Sequence, residues 1–218
     1  PVVIDAAGAF DNQTDAGRSC AVFSLHATKS LAAGEGGFVV TTDSGLLAEV
    51  RRLSNFGIEL PGGMVPSVGT NAKLSEYHAA VALASLDGWS ARRERRVAVH
   101  RQYLDALARY CPTVVLQQRP PEGVYSTMPV LLPERASAQT ALERLASQGI
   151  ETRRWYCPTL EKHPAFRDLP IAGELRVSRT LSDRLLALPF HAFLGPEDVD
   201  AVCAALAAVI EATISAAR

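Results

Sequence analysis

Short apolar runs alternate with turn residues through the first forty positions. VVID (2–5), AVFSL (21–25) and GFVVTT (37–42) are β-branched or aromatic and bounded by Gly, Asp or Ser. They predict three buried strands of a helix-covered sheet. DSGLLAEVRRLSN (43–55) predicts a helix, capped by Asp43 or Ser44, with Glu49 reaching towards its basic last turns and a stop at Asn55-Phe56-Gly57. GIELPGGMVPSVGT (57–70) is too rich in glycine and proline for a regular element and predicts a loop of a length that is often functional. Ser75 then caps a long helical region running to Cys111, Ala/Leu-rich at first and Arg-rich later, with Gly88 as a bend or break between the halves.

After Cys111-Pro112 the pattern changes. TVVLQQ (113–118) and VYSTMPVLL (124–132) predict strands, AQTALERLASQG (138–149) an amphipathic helix ended by Gly149, and IETRRWY (150–156) another strand. This is a small β-β-α-β unit. A closing helix starts at Pro196 with acids in its first turn. The expected division is 1–108 and 109–218, with the boundary near 105–112.

Composition narrows the function classes. Of 218 residues, 48% are hydrophobic and 21% charged, which is the balance of a globular protein with a real core. The formal net charge of −1 gives no global field for nucleic acid or an anionic membrane. The basic stretch RRERRVAVHR (92–101) is interrupted by Glu94 and reads as a solvated helical face. Cys20, Cys111, Cys157 and Cys203 are scattered, without CxxC or zinc-ligand spacing, and are expected to be reduced, packed thiols; no metal site is expected. No apolar run reaches the roughly 18 residues that span a bilayer, and no signal-peptide pattern opens the chain, so a cytoplasmic protein is expected. Opening at Pro1, directly on an apolar strand, suggests the latter part of something longer.

One lysine stands out by its company. Lys29 lies between the strand AVFSL and the turn GEGG (34–37), while Asp5 ends one predicted strand and Ser24 lies near the end of another. Ligand-binding groups collect at the carboxyl ends of strands in α/β sheets. A surface lysine on a turn remains the plain alternative for Lys29, and a turn aspartate the alternative for Asp5.

DAAGA (5–9), SLHATKSLAAGEGG (24–37) and GTNAKLSE (69–76) follow one another in an order and spacing that resemble the DegT/DnrJ/EryC1/StrS family of pyridoxal phosphate (PLP)-dependent sugar aminotransferases. RRWYCPTLEKHPAF and SDRLLALPFHAFLGPEDVDAV extend the likeness through the last third. The resemblance implies a fold-type I, aspartate aminotransferase-like α/β fold, present as a partial large domain plus a smaller C-terminal α/β domain. It implies Lys29 as the residue that joins the cofactor aldehyde as a Schiff base and moves a proton, Asp5 as the partner of the pyridine nitrogen, and Ser24 as a phosphate ligand. Asn71 would reach the phosphate of a neighbouring subunit, which implies a homodimer. His26 could face the cofactor or substrate, or be a plain loop residue. The implied reaction takes an amino group from a donor amino acid, usually glutamate, through pyridoxamine phosphate, to a keto group of a nucleotide-linked deoxysugar.

Departures from the family pattern are Gly8 for a glutamine, Lys73 for an arginine, Thr70 for an aromatic and Glu161 for a histidine. The residues from Pro1 onward do not include the family's N-terminal segment, with its phosphate loop and stacking aromatic. A non-catalytic or regulatory protein on the same fold, or an inactive fragment, is therefore the alternative. A sugar dehydratase is less favoured, since related dehydratases carry histidine where Lys29 stands. Trp155 and Tyr156 would line a sugar or nucleotide pocket or pack one domain on the other.

Overall fold

The computed structural model describes residues 2–17, 19–120, 122–154 and 157–216. The chain divides into two compact units, residues 1–93 with 123–126, and 94–122 with 127–218.

In the first unit, β1 (Val3–Asp5) pairs in parallel with β2 (Cys20–Ser24), and β2 pairs antiparallel with β3 (Gly37–Val40). The three predicted strands therefore form one sheet with β2 in the middle. The expectation that VVID is buried is corrected: Val3 is 69% exposed, because β1 lies at the sheet edge and no described element covers it. Phe10 meets Phe23, Phe38 and Trp89 edge-on, and Phe23 stacks on Phe38 with ring centroids 4.9 Å apart. This aromatic group is the main packing of the unit. The Asn12 amide and the backbone of Val124 exchange two hydrogen bonds, Val124 N–H donating to Asn12 Oδ1 at 2.8 Å, which explains why residues 123–126 belong here.

Helix α1 (Ser44–Ser54) is capped as expected by Asp43, whose carboxylate accepts the Leu46 N–H at 3.0 Å, and Glu49 pairs with Arg52. The loop after it folds back on the helix end: Phe56 N–H donates to Thr70 O, and Thr70 N–H to Leu53 O. Gly57 makes this possible, with φ +78° and room for no Cβ, which would lie 2.0 Å from Ser67 O. Ser75 caps α2 (Glu76–Asp87) by accepting the His78 N–H, and Gly88 separates it from α3 (Trp89–Tyr110). The expected cap and break are both present.

The second unit holds an antiparallel sheet of β4 (Val115–Leu116), β5 (Met128–Leu131) and β6 (Leu185–Leu188), in that order. Helices α4 (Ala138–Ala146), α5 (Arg176–Arg184) and α6 (Pro196–Ala216) complete it. Residues 150–154 form no strand, correcting the expectation for IETRRWY. Only Arg153 pairs, with Ala187 through N–H···O bonds of 2.9 and 2.7 Å, and Pro158 and a short 3-10 helix at Leu160–Lys162 soon follow. The third strand is instead β6, an apolar LLAL run directly after α5. Trp155 and Tyr156 lie outside the described residues.

The core joins the later turns of α3 to α4, α6 and the sheet through Val99, Tyr103, Leu107, Leu145, Leu186 and Leu206. The sequence predicts a division after residue 108; the compact units divide after Arg93. The reason lies in α3, which buries Val97, Val99, Tyr103, Ala106 and Leu107 well before residue 108. Tyr103 is fully buried and its hydroxyl donates to Pro189 O at 2.6 Å; burial raises its phenol well above the ordinary value. All four cysteines are free thiols.

Candidate active site

Parallel pairing decides the geometry. Because β1 and β2 run the same way, with Asp5 opposite Val22, the carboxyl ends of both strands lie at one end of the sheet. Asp5 ends β1 and Ser24 ends β2. His26 and Lys29 follow Ser24 in a loop that returns along the same edge through GEGG. The structure therefore brings Asp5, Ser24, His26 and Lys29 to one end of one sheet.

Local hydrogen bonds shape each group. Asp5 Oδ1 accepts the Ala7 N–H at 3.0 Å, which turns the chain after β1. Ser24 Oγ accepts the His26 N–H at 3.2 Å, so the hydroxyl proton is free to donate elsewhere. The loop closes by Leu25 N–H to Gly36 O at 2.9 Å, Ala27 N–H to Gly34 O at 2.8 Å and Lys29 N–H to His26 O at 2.9 Å. Past Lys29 the chain is anchored by burial: Leu31 and Ala33 pack with Leu25, Phe10, Phe38 and Trp89. Ser85 Oγ of α2 donates to Ala32 O at 2.7 Å.

Gly36 is where only glycine fits. Its φ is +111°, and a Cβ would lie 2.3 Å from Leu74 Cδ1. That close approach sets residues 74–78 against the glycine turn, with the His78 ring beside Gly34.

Asn71 stands apart. It bridges Asn55, and its Oδ1 accepts from Lys73 Nζ at 2.6 Å while that ammonium lies 4.3 Å above the Phe56 ring. Among the described residues no hydrogen bond joins Asn71 to the Asp5, Ser24 and Lys29 group. Lys29 Nζ has no hydrogen-bond or ion-pair partner among them either, whereas Lys73 is engaged.

The donor set fits pyridoxal phosphate: an unengaged amine for an aldehyde, a carboxylate for a ring nitrogen and a hydroxyl donor for a phosphate, all at one sheet end. Sequence reasoning missed Thr28, which hydrogen-bonds the His26 ring at Nδ1, and Glu35, whose carboxylate lies 3.6 Å from Nε2. The two-residue spacing from His26 to Thr28 is the only signal that could have pointed to the first. Glu161 accepts from Arg179 Nε at 2.9 Å and Thr159 Oγ1 at 2.8 Å, and these bonds, that from Arg179 foremost, hold its carboxyl below the usual range. In the second unit, Ile171, Gly173, Arg176, Arg179, Thr180 and Asp183 are among the residues lining an open cleft beside α5. No helix among the described residues is long and apolar enough to cross a membrane.

Residues 1–207 match the DegT/DnrJ/EryC1/StrS aminotransferase family. The chain belongs to this family. Its fold is that of the fold-type I PLP-dependent aminotransferases, present in part. Protein Rv3402c of Mycobacterium tuberculosis is 31% identical over 94% of this chain and 52% of its own length. The dTDP-3-amino-3,4,6-trideoxy-alpha-D-glucose transaminase of Streptomyces venezuelae is 33% identical over 80% of this chain and 46% of its own. Among solved structures, S. venezuelae DesV in complex with a ketimine intermediate superposes with a TM-score of 0.83 at 29% identity, over 96% of this chain and 57% of that one. The chain spans about half the length of the curated relatives it matches.

Proposed function

We propose that this chain carries the lysine-and-acid half of the active site of a cytoplasmic PLP-dependent aminotransferase, which moves an amino group from glutamate to a keto group of a nucleotide-linked deoxysugar. The observation that carries the reading is the parallel β1–β2 pair, which sets Asp5, Ser24 and the Lys29 loop at one sheet end. The substrate class is supported by the family and by the S. venezuelae relative, whose name specifies a dTDP-linked amino sugar.

The bound cofactor supplies an aldehyde that accepts an amino group and a protonated ring that takes up electrons when a C–H bond breaks. The chain's residues do the rest. Lys29 Nζ, in its neutral form, takes a proton from the carbon bearing the amino group and delivers one to the carbon being aminated. The Asp5 carboxylate holds the proton on the ring nitrogen. Ser24 Oγ–H donates to a phosphate oxygen, its lone pair already engaged by His26 N–H. Asn71 would serve a second copy's phosphate in a homodimer, a role compatible with its exposed position apart from the other three and with the exposed apolar residues around it, Val68 (94%) and Tyr77 (88%).

A second reading is a non-catalytic protein on this fold, in which Gly8 stands where the family pattern has a glutamine. Borohydride reduction with added pyridoxal phosphate, followed by peptide mass analysis, separates the two. Label on Lys29 supports the enzyme; label on Lys73 or Lys162, or none, favours the second reading.

A further inference from the structure

One side chain, that of His26, adds to the backbone hydrogen bonds that close the loop carrying Lys29. His26 Nδ1 accepts the Thr28 backbone N–H at 3.2 Å and lies 2.9 Å from Thr28 Oγ1. A backbone N–H can only donate, so Nδ1 is the bare nitrogen and the proton of the neutral ring sits on Nε2. That nitrogen lies 3.6 Å from Glu35 Oε1, on the returning arm of the loop. The same residue uses its backbone as well: His26 O accepts the Lys29 N–H at 2.9 Å, and His26 bridges Gly34. One imidazole thus touches the turn before Lys29 with one nitrogen and faces the strand-like return after it with the other.

Burial does not hold this segment. The His26 and Glu35 side chains are 46% and 72% exposed, and residues 26–29 lie between the buried anchors Leu25 on one side and Ser30, Leu31 and Ala33 on the other. Hydrogen bonds must therefore fix the turn, because a long flexible side chain on an unpinned turn spreads its amine over many positions. Resting on the reading of Lys29 given above, we propose that His26 is a positioning residue: in its Nε2–H tautomer it accepts the Thr28 N–H at Nδ1, fixes the turn of residues 26–29 and so presents the Lys29 amine at the end of the sheet. Nδ1 bonds to the loop and Nε2 lies 3.6 Å from Glu35, so its part is to hold Lys29 in place, through Thr28.

Two substitutions separate this clasp from simple packing. His26→Asn keeps an acceptor in the place of Nδ1, since asparagine at this position accepts the N–H two residues on in an Asx turn. His26→Phe keeps a ring and loses the acceptor. Amide hydrogen exchange, read by NMR on the chain without cofactor, is expected to quicken about tenfold at Thr28 and Lys29 in His26→Phe and to stay within about threefold of the unsubstituted chain in His26→Asn. Equal exchange in His26→Phe and the unsubstituted chain overturns the proposal. Long-range nitrogen-15 spectra of the unsubstituted chain test the clasp without any variant: Nε2–H in the neutral ring supports it, and Nδ1–H overturns it. Borohydride trapping of pyridoxal phosphate on Lys29 is expected to slow about tenfold in His26→Phe and to recover in His26→Asn. Failure of the unsubstituted chain to trap the cofactor at all counts against the proposed function alone, because exchange and tautomer are read in its absence.

Discussion

The two units build sheets of the same size and treat them differently. In the second, β5 and β6 alternate buried and half-buried positions, and α3, α4 and α6 close a continuous core over them, with Leu206 fully buried. In the first, two small clusters centred on Phe23 and Leu31 do the packing, while Val3 and Val22 stand exposed on strands of the same kind. A continuous buried core dominates the second unit. In the first, backbone hydrogen bonds, caps and glycines carry more of the organisation, and the candidate chemistry sits there. A loop held by directed bonds can present a reactive amine to a ligand, which a close-packed core cannot.

Five measurements test that contrast. Leu206→Ala in the second unit should cost about 3 kcal/mol in urea unfolding, the usual result of emptying a fully buried leucine site. Gly36→Ala should cost about 2 kcal/mol, from a positive φ together with a Cβ driven against Leu74, and should disturb amide signals from Leu25 to Leu74. Next come the thiols. Burial pushes Cys111 up to about 11 and Cys203 up to about 12 from an ordinary 9.0. The protonated thiols belong to the folded state, so their contribution is complete below about pH 9 and is lost as pH rises towards those values. Stability should therefore fall between pH 9 and 11 less steeply in the Cys111→Ala/Cys203→Ala double variant. Iodoacetamide should label Cys157, which is only partly buried, before either of them. The smallest change is expected from Val3→Ala, within about 0.5 kcal/mol. A loss as large as that of Leu206→Ala would mean that β1 is covered in solution and would end the contrast.

What could be read in advance followed from local physics. Asp43 and Ser75 announce helix starts because a short oxygen-bearing side chain satisfies an otherwise unpaired N–H, and both cap as expected. Gly88 marks the break between α2 and α3, and the glycines of GEGG mark a turn. The order and spacing of the Asp5, Ser24, Lys29 and Asn71 segments are enough to indicate the family, and the chain's match over residues 1–207 agrees.

Other features depend on partners distant in sequence. LLAL at 185–188 and IETRRWY at 150–156 are both short apolar or mixed runs, and nothing in either says which will pair with Met128–Leu131; the sheet chose the first. The exposure of Val3 depends on its place at the edge, a property of the whole sheet. The same holds at the site. Residue types and spacing on the chain identified a lysine, an acid and a hydroxyl. Only the parallel register of β1 with β2 set them at one end, and only the folded loop paired the His26 ring with Thr28, because hydrogen bonds depend on distance and direction that linear order does not contain.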